Sequence, residues 1–369
     1  MFDDIEYIPT PADIKTYVDQ YVIGQEKAKE TLAVAVYEHL QACKAAQEDV
    51  CFTKKFPKNN VFLFGPTGCG KTFLLEHIAQ IAGVPFTTAN APVYVPTGYR
   101  GSPVKEILAK LFLEAGNDLD AAEHGIIFLD EFDKRAARPG QGEPDKAFCR
   151  EYQHDLLKMV EGAVFTFETD AGTNLNIDTH NILFVLGGAC VGLEDDVKKR
   201  LLAEHPVPAK HLGFAAPETK KTAYTLPKDV LDQVTPADLI EYGFITEMVG
   251  RMPVICRFKA LTKQELVNVL EHGAESPLRA YVNLFNKMNI DLNFTHGALE
   301  AVADLALERK IGARALHTVL ENILHPMIFA YKGGRVRRPL VITENFVRGR
   351  TKTPAGAGAH RGQANDPAV

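Results

Sequence analysis

What this chain lacks narrows its class before any motif is read. Its six cysteines stand at 43, 51, 69, 149, 190 and 256, and no two form a C-x-x-C pair. They suggest neither a zinc site nor a disulfide framework, and they fit a reducing cytoplasm. No run of about 18 apolar residues occurs. The opening Met1-Phe2-Asp3-Asp4-Ile5-Glu6 is acidic and has no apolar stretch, so neither a secretory nor a membrane fate is expected. Positive charge is not in excess: 41 Lys and Arg against 47 Asp and Glu leave a formal net charge of -6. No global field therefore draws the chain to nucleic acid. Internal repeats are absent as well.

What is present is ordinary in amount and ordered in arrangement. A length of 369 residues suggests two domains, and 46% hydrophobic residues can supply a sizeable core. Apolar runs at Val61–Phe64, Ile126–Leu129, Ile182–Leu186 and Val254–Phe258, with a weaker one at Pro85–Thr88, read as buried strands. Helical periods lie between them. From Ser102 as cap and Pro103 in the first turn, Val104, Ile107, Leu108, Leu111 and Phe112 form one stripe. Such alternation predicts an α/β fold, a parallel sheet flanked by helices. Beyond residue 258 helical patterns dominate, at Leu261–His272, Leu278–Met288, Gly297–Arg309 and Ala313–Ala330. The expected division is a large domain over 1–257, a smaller, mainly helical one over 258–347, and a disordered tail over 348–369.

The most specific signal is Gly65-Pro66-Thr67-Gly68-Cys69-Gly70-Lys71-Thr72, set between the first apolar run and a helical stretch. Glycines let backbone N–H groups converge on phosphate oxygens, and the helix that follows adds its positive end. Lys71 would reach the β- and γ-phosphates, and the Thr72 hydroxyl would hold Mg²⁺. A second half of the site is expected where Ile126–Leu129 runs into Asp130 and Glu131. A buried strand delivers both carboxylates to the carboxyl edge of the sheet, where the phosphate loop also opens. Asp130 would hold Mg²⁺ through water and Glu131 would polarise the attacking water, which favours an ATPase over a simple nucleotide binder. Arg251 and Arg314 are candidates for the remaining charge stabilisation, although spacing alone favours a surface ion pair for each. Arg314 falls on the polar face of its helix, opposite the stripe Leu316, Val319, Leu320 and Ile323.

Taken in order, these elements resemble AAA+ ATPases and specifically the ClpX family of protein unfoldases, over residues 9–347. The resemblance rests also on Tyr21-Val22-Ile23-Gly24-Gln25, on Leu156–Gly162, on Asp238–Pro253 and on Gly312-Ala313-Arg314-Ala315-Leu316. It implies that Val22 and Ile23 contact adenine, and that Arg251 reaches a neighbouring subunit's γ-phosphate in a homo-hexamer. It implies also that Arg314 acts on the nucleotide of its own subunit.

Gly98-Tyr99-Arg100-Gly101 takes the place of the family's Gly-Tyr-Val-Gly pore loop; in isolation it would read as a plain turn. A bulky aromatic on a glycine-flanked loop can grip an unfolded or tagged polypeptide, and Arg100 would favour acidic or polar ones. Leu212-Gly213-Phe214 is either a partner anchor or a local packing plug. By resemblance it docks on a ClpP-type peptidase.

Three features depart from the family. The N-terminal zinc domain is expected to be missing, the basic pore-mouth loop is replaced by Glu168–Asn174, and the second pore loop by Ala147–Tyr152. These predict an altered client set. Cys69, beside Lys71 at a helix start, would have a lowered thiol pKa, and it would be reactive if exposed. The implied function is an ATP- and Mg²⁺-dependent cytoplasmic unfoldase. The alternatives are a protease-independent remodelling chaperone, a nucleic-acid-directed AAA+ motor, and a scaffold that hardly hydrolyses.

Overall fold

The computed structural model describes residues 8–48, 58–96, 102–169, 172–205, 226–331, 333, 338–351 and 354. It divides into two compact units. One comprises the chain up to Lys15, Glu26–Gly65 and Lys71–Phe258; the other comprises Thr16–Gln25, Pro66–Gly70 and the chain from Lys259 onward.

The first unit is organised by a parallel sheet of β1 (Val61–Phe64), β2 (Phe86–Asn90), β3 (Ile126–Asp130), β4 (Leu183–Gly188) and β5 (Val254–Arg257), in the order β2-β3-β4-β1-β5. A parallel sheet is covered on both faces, so its strands read as continuous apolar runs rather than as alternation. All four residues of β1 and all six of β4 are buried. Helices Glu26–Glu48, Lys71–Ala82, Glu106–Glu114, Glu143–Glu161 and Leu193–Glu204 belong to the same unit.

The strands stand where the apolar runs predict them, with ends shifted by a residue or two. The helix expected from Ser102 instead starts at Glu106, because Ser102–Pro103 pairs in parallel with Tyr94–Val95. The residue before a proline favours extended backbone, so this strand bridge prevails over a helical first turn. The predicted stripe is nonetheless the buried one: Val104, Ile107, Leu108, Leu111 and Phe112 all lie in the core. An antiparallel hairpin, Val164–Glu168 with Asn174–Asp178, occupies the place of the expected pore-mouth loop.

In the second unit lie the helices Lys263–Glu271, Pro277–Lys287, His296–Glu308 and Arg314–Phe329 and the short helix Glu344–Val347. Thr262 opens the first of them with a reciprocal capping box to Glu265. A parallel strand pair, Ile290–Phe294 with Arg338–Ile342, which helical periodicity does not reveal, packs Leu292, Leu340 and Ile342 with Phe285 and Leu324. Of the expected tail, Arg348 pairs with Asp304 and Glu344, while 352–353 and 355–369 lie outside the described residues. Among the described residues no helix is long and apolar enough to cross a membrane.

Candidate functional site

The phosphate loop leaves β1 at Phe64, and the Gly65 N–H donates to the Gly188 carbonyl of β4 at 3.2 Å. Gly65, Gly68 and Gly70 all have positive φ, at 152°, 74° and 96°. A β-carbon on Gly65 would collide with Phe258, so that turn requires glycine. Lys71 begins the helix Lys71–Ala82, and its buried ammonium folds back to donate to the Gly65 carbonyl at 2.8 Å. Thr72, half-buried, is the second residue of that helix. Backbone N–H groups at a helix start, glycine backbone and a lysine on the same loop form a donor set suited to polyphosphate. Cys69 is 3% exposed, so the accessibility that a reactive thiol needs is not met.

Asp130 ends β3, two strands from β1, with β4 between them. Its Oδ1 accepts the Glu131 N–H at 2.8 Å. Glu131 has φ of 58°, a left-handed backbone that non-glycine residues seldom adopt. Its carboxylate is 43% exposed and pairs with Lys134 at 2.7 Å. The next residue, Phe132, is fully buried and stacks on Phe244 with centroids 5.2 Å apart, which fixes the turn. Asp133 accepts the Cys190 N–H at 3.0 Å, and burial raises its carboxyl above the usual range. A carboxylate from this turn thus covers Gly187-Gly188-Ala189-Cys190, the strand end that has no polar side chain of its own.

Within the second unit three predicted segments meet. The Ala313 N–H donates to the Gly68 carbonyl at 2.9 Å, and Gly312, with φ of 61°, lies against the carbonyls of Thr67 and Gly68. Arg314 starts its helix directly afterwards and is exposed, as the polar face predicts. Val22 is buried and Ile23 half-buried. Gln25 follows with a side chain that holds backbone on two sides. Its amide donates to the carbonyls of Lys259 at 2.8 Å and Cys69 at 3.3 Å, and accepts the Lys259 N–H at 3.0 Å. In the sequence Gln25 stands out only as part of the signature 21–25, since a side-chain amide bound to backbone leaves no periodic trace.

Arg251 caps the helix Thr246–Gly250 and pairs with Glu161, Nη2 to Oε1 at 2.9 Å, with 57% of its side chain exposed. Asn60 donates to the Arg251 carbonyl at 3.2 Å. Gly98, Tyr99, Arg100 and Gly101 lie outside the described residues, and so do Leu212, Gly213 and Phe214.

Comparison with known proteins gives concordant matches. The AAA domain (Cdc48 subfamily) family matches residues 56–255, and the C-terminal D2-small domain of ClpB protein matches residues 261–335. The chain is 36% identical over 356 residues to a protein of Treponema denticola named ATP-dependent Clp protease ATP-binding subunit ClpX; this covers 94% of the chain and 83% of the relative. It is likewise 36% identical over 348 residues to the proteins of that name from Borrelia duttonii and Borrelia recurrentis, covering 92% of the chain and 79% of each relative.

Proposed function

Because the chain belongs to the ClpX family of AAA+ ATPases, we propose that it couples ATP hydrolysis to unfolding and threading polypeptides through a hexameric ring, for a ClpP-type peptidase. The observation that carries this reading is the sheet register. Phe64 pairs with Gly188 on β4, and Leu129 pairs with Leu186 of the same strand, so the phosphate loop and the Asp130–Glu131 turn open at one edge.

Bound ATP brings the transferable phosphoryl group, and Mg²⁺ neutralises charge on its oxygens. Lys71 supports the β- and γ-phosphates, Thr72 and Asp130 hold the ion, and Glu131 orients the attacking water. Gly65, Pro66, Thr67, Gly68, Cys69 and Gly70 offer backbone N–H groups or the turn that aims them, while Val22 and Ile23 border the base. Arg314 acts within its subunit. Arg251, exposed and held by Glu161, acts on the neighbouring subunit's nucleotide. Movement of the small domain about 257–261 carries Tyr99 and Arg100 along the pore with the client, in the cytoplasm. Leu212, Gly213 and Phe214 anchor the peptidase.

Sedimentation with the ClpP-type ring of the same organism and a slowly hydrolysed ATP analogue tests the assignment. Co-sedimentation with wild type and its loss in Phe214→Ala is the expected result. A ring-forming protein that never associates would leave a free-standing remodelling chaperone in its place.

A further inference from the structure

Arg135 lies four residues beyond Glu131, at the end of the short turn Phe132–Arg135. Its guanidinium reaches away from the carboxylates to another segment. Nε donates to the Ala91 carbonyl at 3.2 Å, and Nη2 donates to the carbonyls of Pro92 and Tyr94, both at 2.8 Å. One planar fork therefore holds three carbonyls of the stretch that leads into Gly98–Gly101. The same guanidinium lies over the rings of Phe148 and Tyr152, 5.0 and 4.9 Å from their centroids. Those residues belong to Ala147–Tyr152, the stretch in the place of the family's second pore loop.

The backbone of Arg135 is tied equally closely. Its carbonyl accepts the Gln153 amide at 2.8 Å, and Gln153, fully buried, also accepts the Ile245 N–H at 2.8 Å. Ile245 is the N-cap of the helix Thr246–Gly250, whose other end Arg251 caps. The turn cannot flex freely, since Phe132 is stacked on Phe244. Beside the fork, the hydroxyls of Tyr94 and Tyr152 are buried without a hydrogen-bond partner among the described residues. Buried hydroxyls seldom stay unpaired, which sets this junction apart from the rest of the core.

We propose that Arg135 is a positioning residue that locks the root of the pore loop to the turn carrying Glu131. Displacement of that turn by nucleotide then moves 91–95 with it, and the aromatic pair 148 and 152 follows on the other face. The proposal rests on the reading of 98–101 as a pore loop. Lysine has the charge but not the fork: a single ammonium cannot span three carbonyls in one plane and stack on two rings.

Full-length wild type and Arg135→Lys would be compared for ATP turnover and for client unfolding under the same conditions. We expect turnover within about twofold and unfolding per ATP reduced by about five- to tenfold, the usual size of coupling between sites. An unchanged ratio would overturn the proposal. Hydrogen exchange provides a second reading should the variant fold poorly. In wild type, amide protection over 91–96 should differ between ADP and a slowly hydrolysed ATP analogue, while β3 stays protected in both. Identical protection of 91–96 in the two states would also overturn it. A wild type that hydrolyses ATP yet unfolds nothing would refute the unfoldase reading instead, and the exchange experiment would still decide whether the two segments move together.

Discussion

The two edges of the sheet handle polar groups in opposite ways. At the amino edge they are paired with the chain's own backbone. Asn60, 1% exposed, accepts the Phe184 N–H at 3.0 Å and donates to the Arg251 carbonyl. Lys58 donates to the carbonyls of Val160 and Thr179 at 3.2 and 2.8 Å, and lies over the Phe184 ring. Thr179, fully buried, exchanges hydrogen bonds with Ala163 and donates to Met159. At the carboxyl edge, Glu131 sits in left-handed backbone with an exposed carboxylate, and the phosphate loop bends through three glycines of positive φ. One edge is finished by the chain itself; the other is arranged for a ligand. Stability and chemistry are thereby assigned to different ends of the same strands.

Substitutions can break that division. Glu131→Gln should bind ATP with near-normal affinity and hydrolyse it about 10²- to 10⁴-fold more slowly, the contribution usual for a general base. Stability should be unchanged; near-normal phosphate release would reject Glu131 as the hydrolytic residue. Asn60→Ala should do the reverse. Leaving the Phe184 N–H and the Arg251 carbonyl unpaired costs about 2–6 kcal/mol, at about 1–3 per buried group. The thermal midpoint should therefore fall while ATP binding at low temperature persists; an unaltered midpoint would remove the contrast between the edges.

The smallest effect is a slope. Burial pulls the Lys58 ammonium down to about 7 in the folded protein, against the opposing influence of Asp178. The unfolded chain keeps that proton until about pH 10.4. Between these values the unfolded state binds more protons, so stability rises with pH, and it is lost as pH falls toward 7. The rise is at most about 1.4 kcal/mol per pH unit. Lys58→Met should lack this rise when thermal midpoints are compared from pH 7.5 to 9.5. Parallel curves for the two proteins would show that Lys58 stays charged when buried.

Much of this was legible in the sequence because it is written in runs and spacings. The buried strands are unbroken apolar stretches, and the glycine pattern of 65–70 and the acidic pair after Leu129 have fixed intervals. The start of the helix at Glu106 was not legible, since Ser102 and Pro103 suit a helix start and a strand bridge alike. The hairpin 164–178 did carry a signal: Phe165 and Phe167 alternate with the exposed Val164, Thr166 and Glu168, and Leu175 and Ile177 alternate with Asn174, Asn176 and Asp178, a short period-2 pattern. Arg135, Gln153 and Gln25 were hidden for a different reason. Each binds backbone atoms far away in the sequence, and backbone atoms are the same at every position.

The central claim is that hydrolysis at the carboxyl edge performs mechanical work on a polypeptide. The most direct test follows loss of native signal from a stably folded protein bearing an unstructured extension, together with phosphate release. Wild type should unfold the substrate with ATP but not with a non-hydrolysable analogue, and Glu131→Gln should unfold none. Steady ATP hydrolysis that leaves every such substrate folded would contradict that claim.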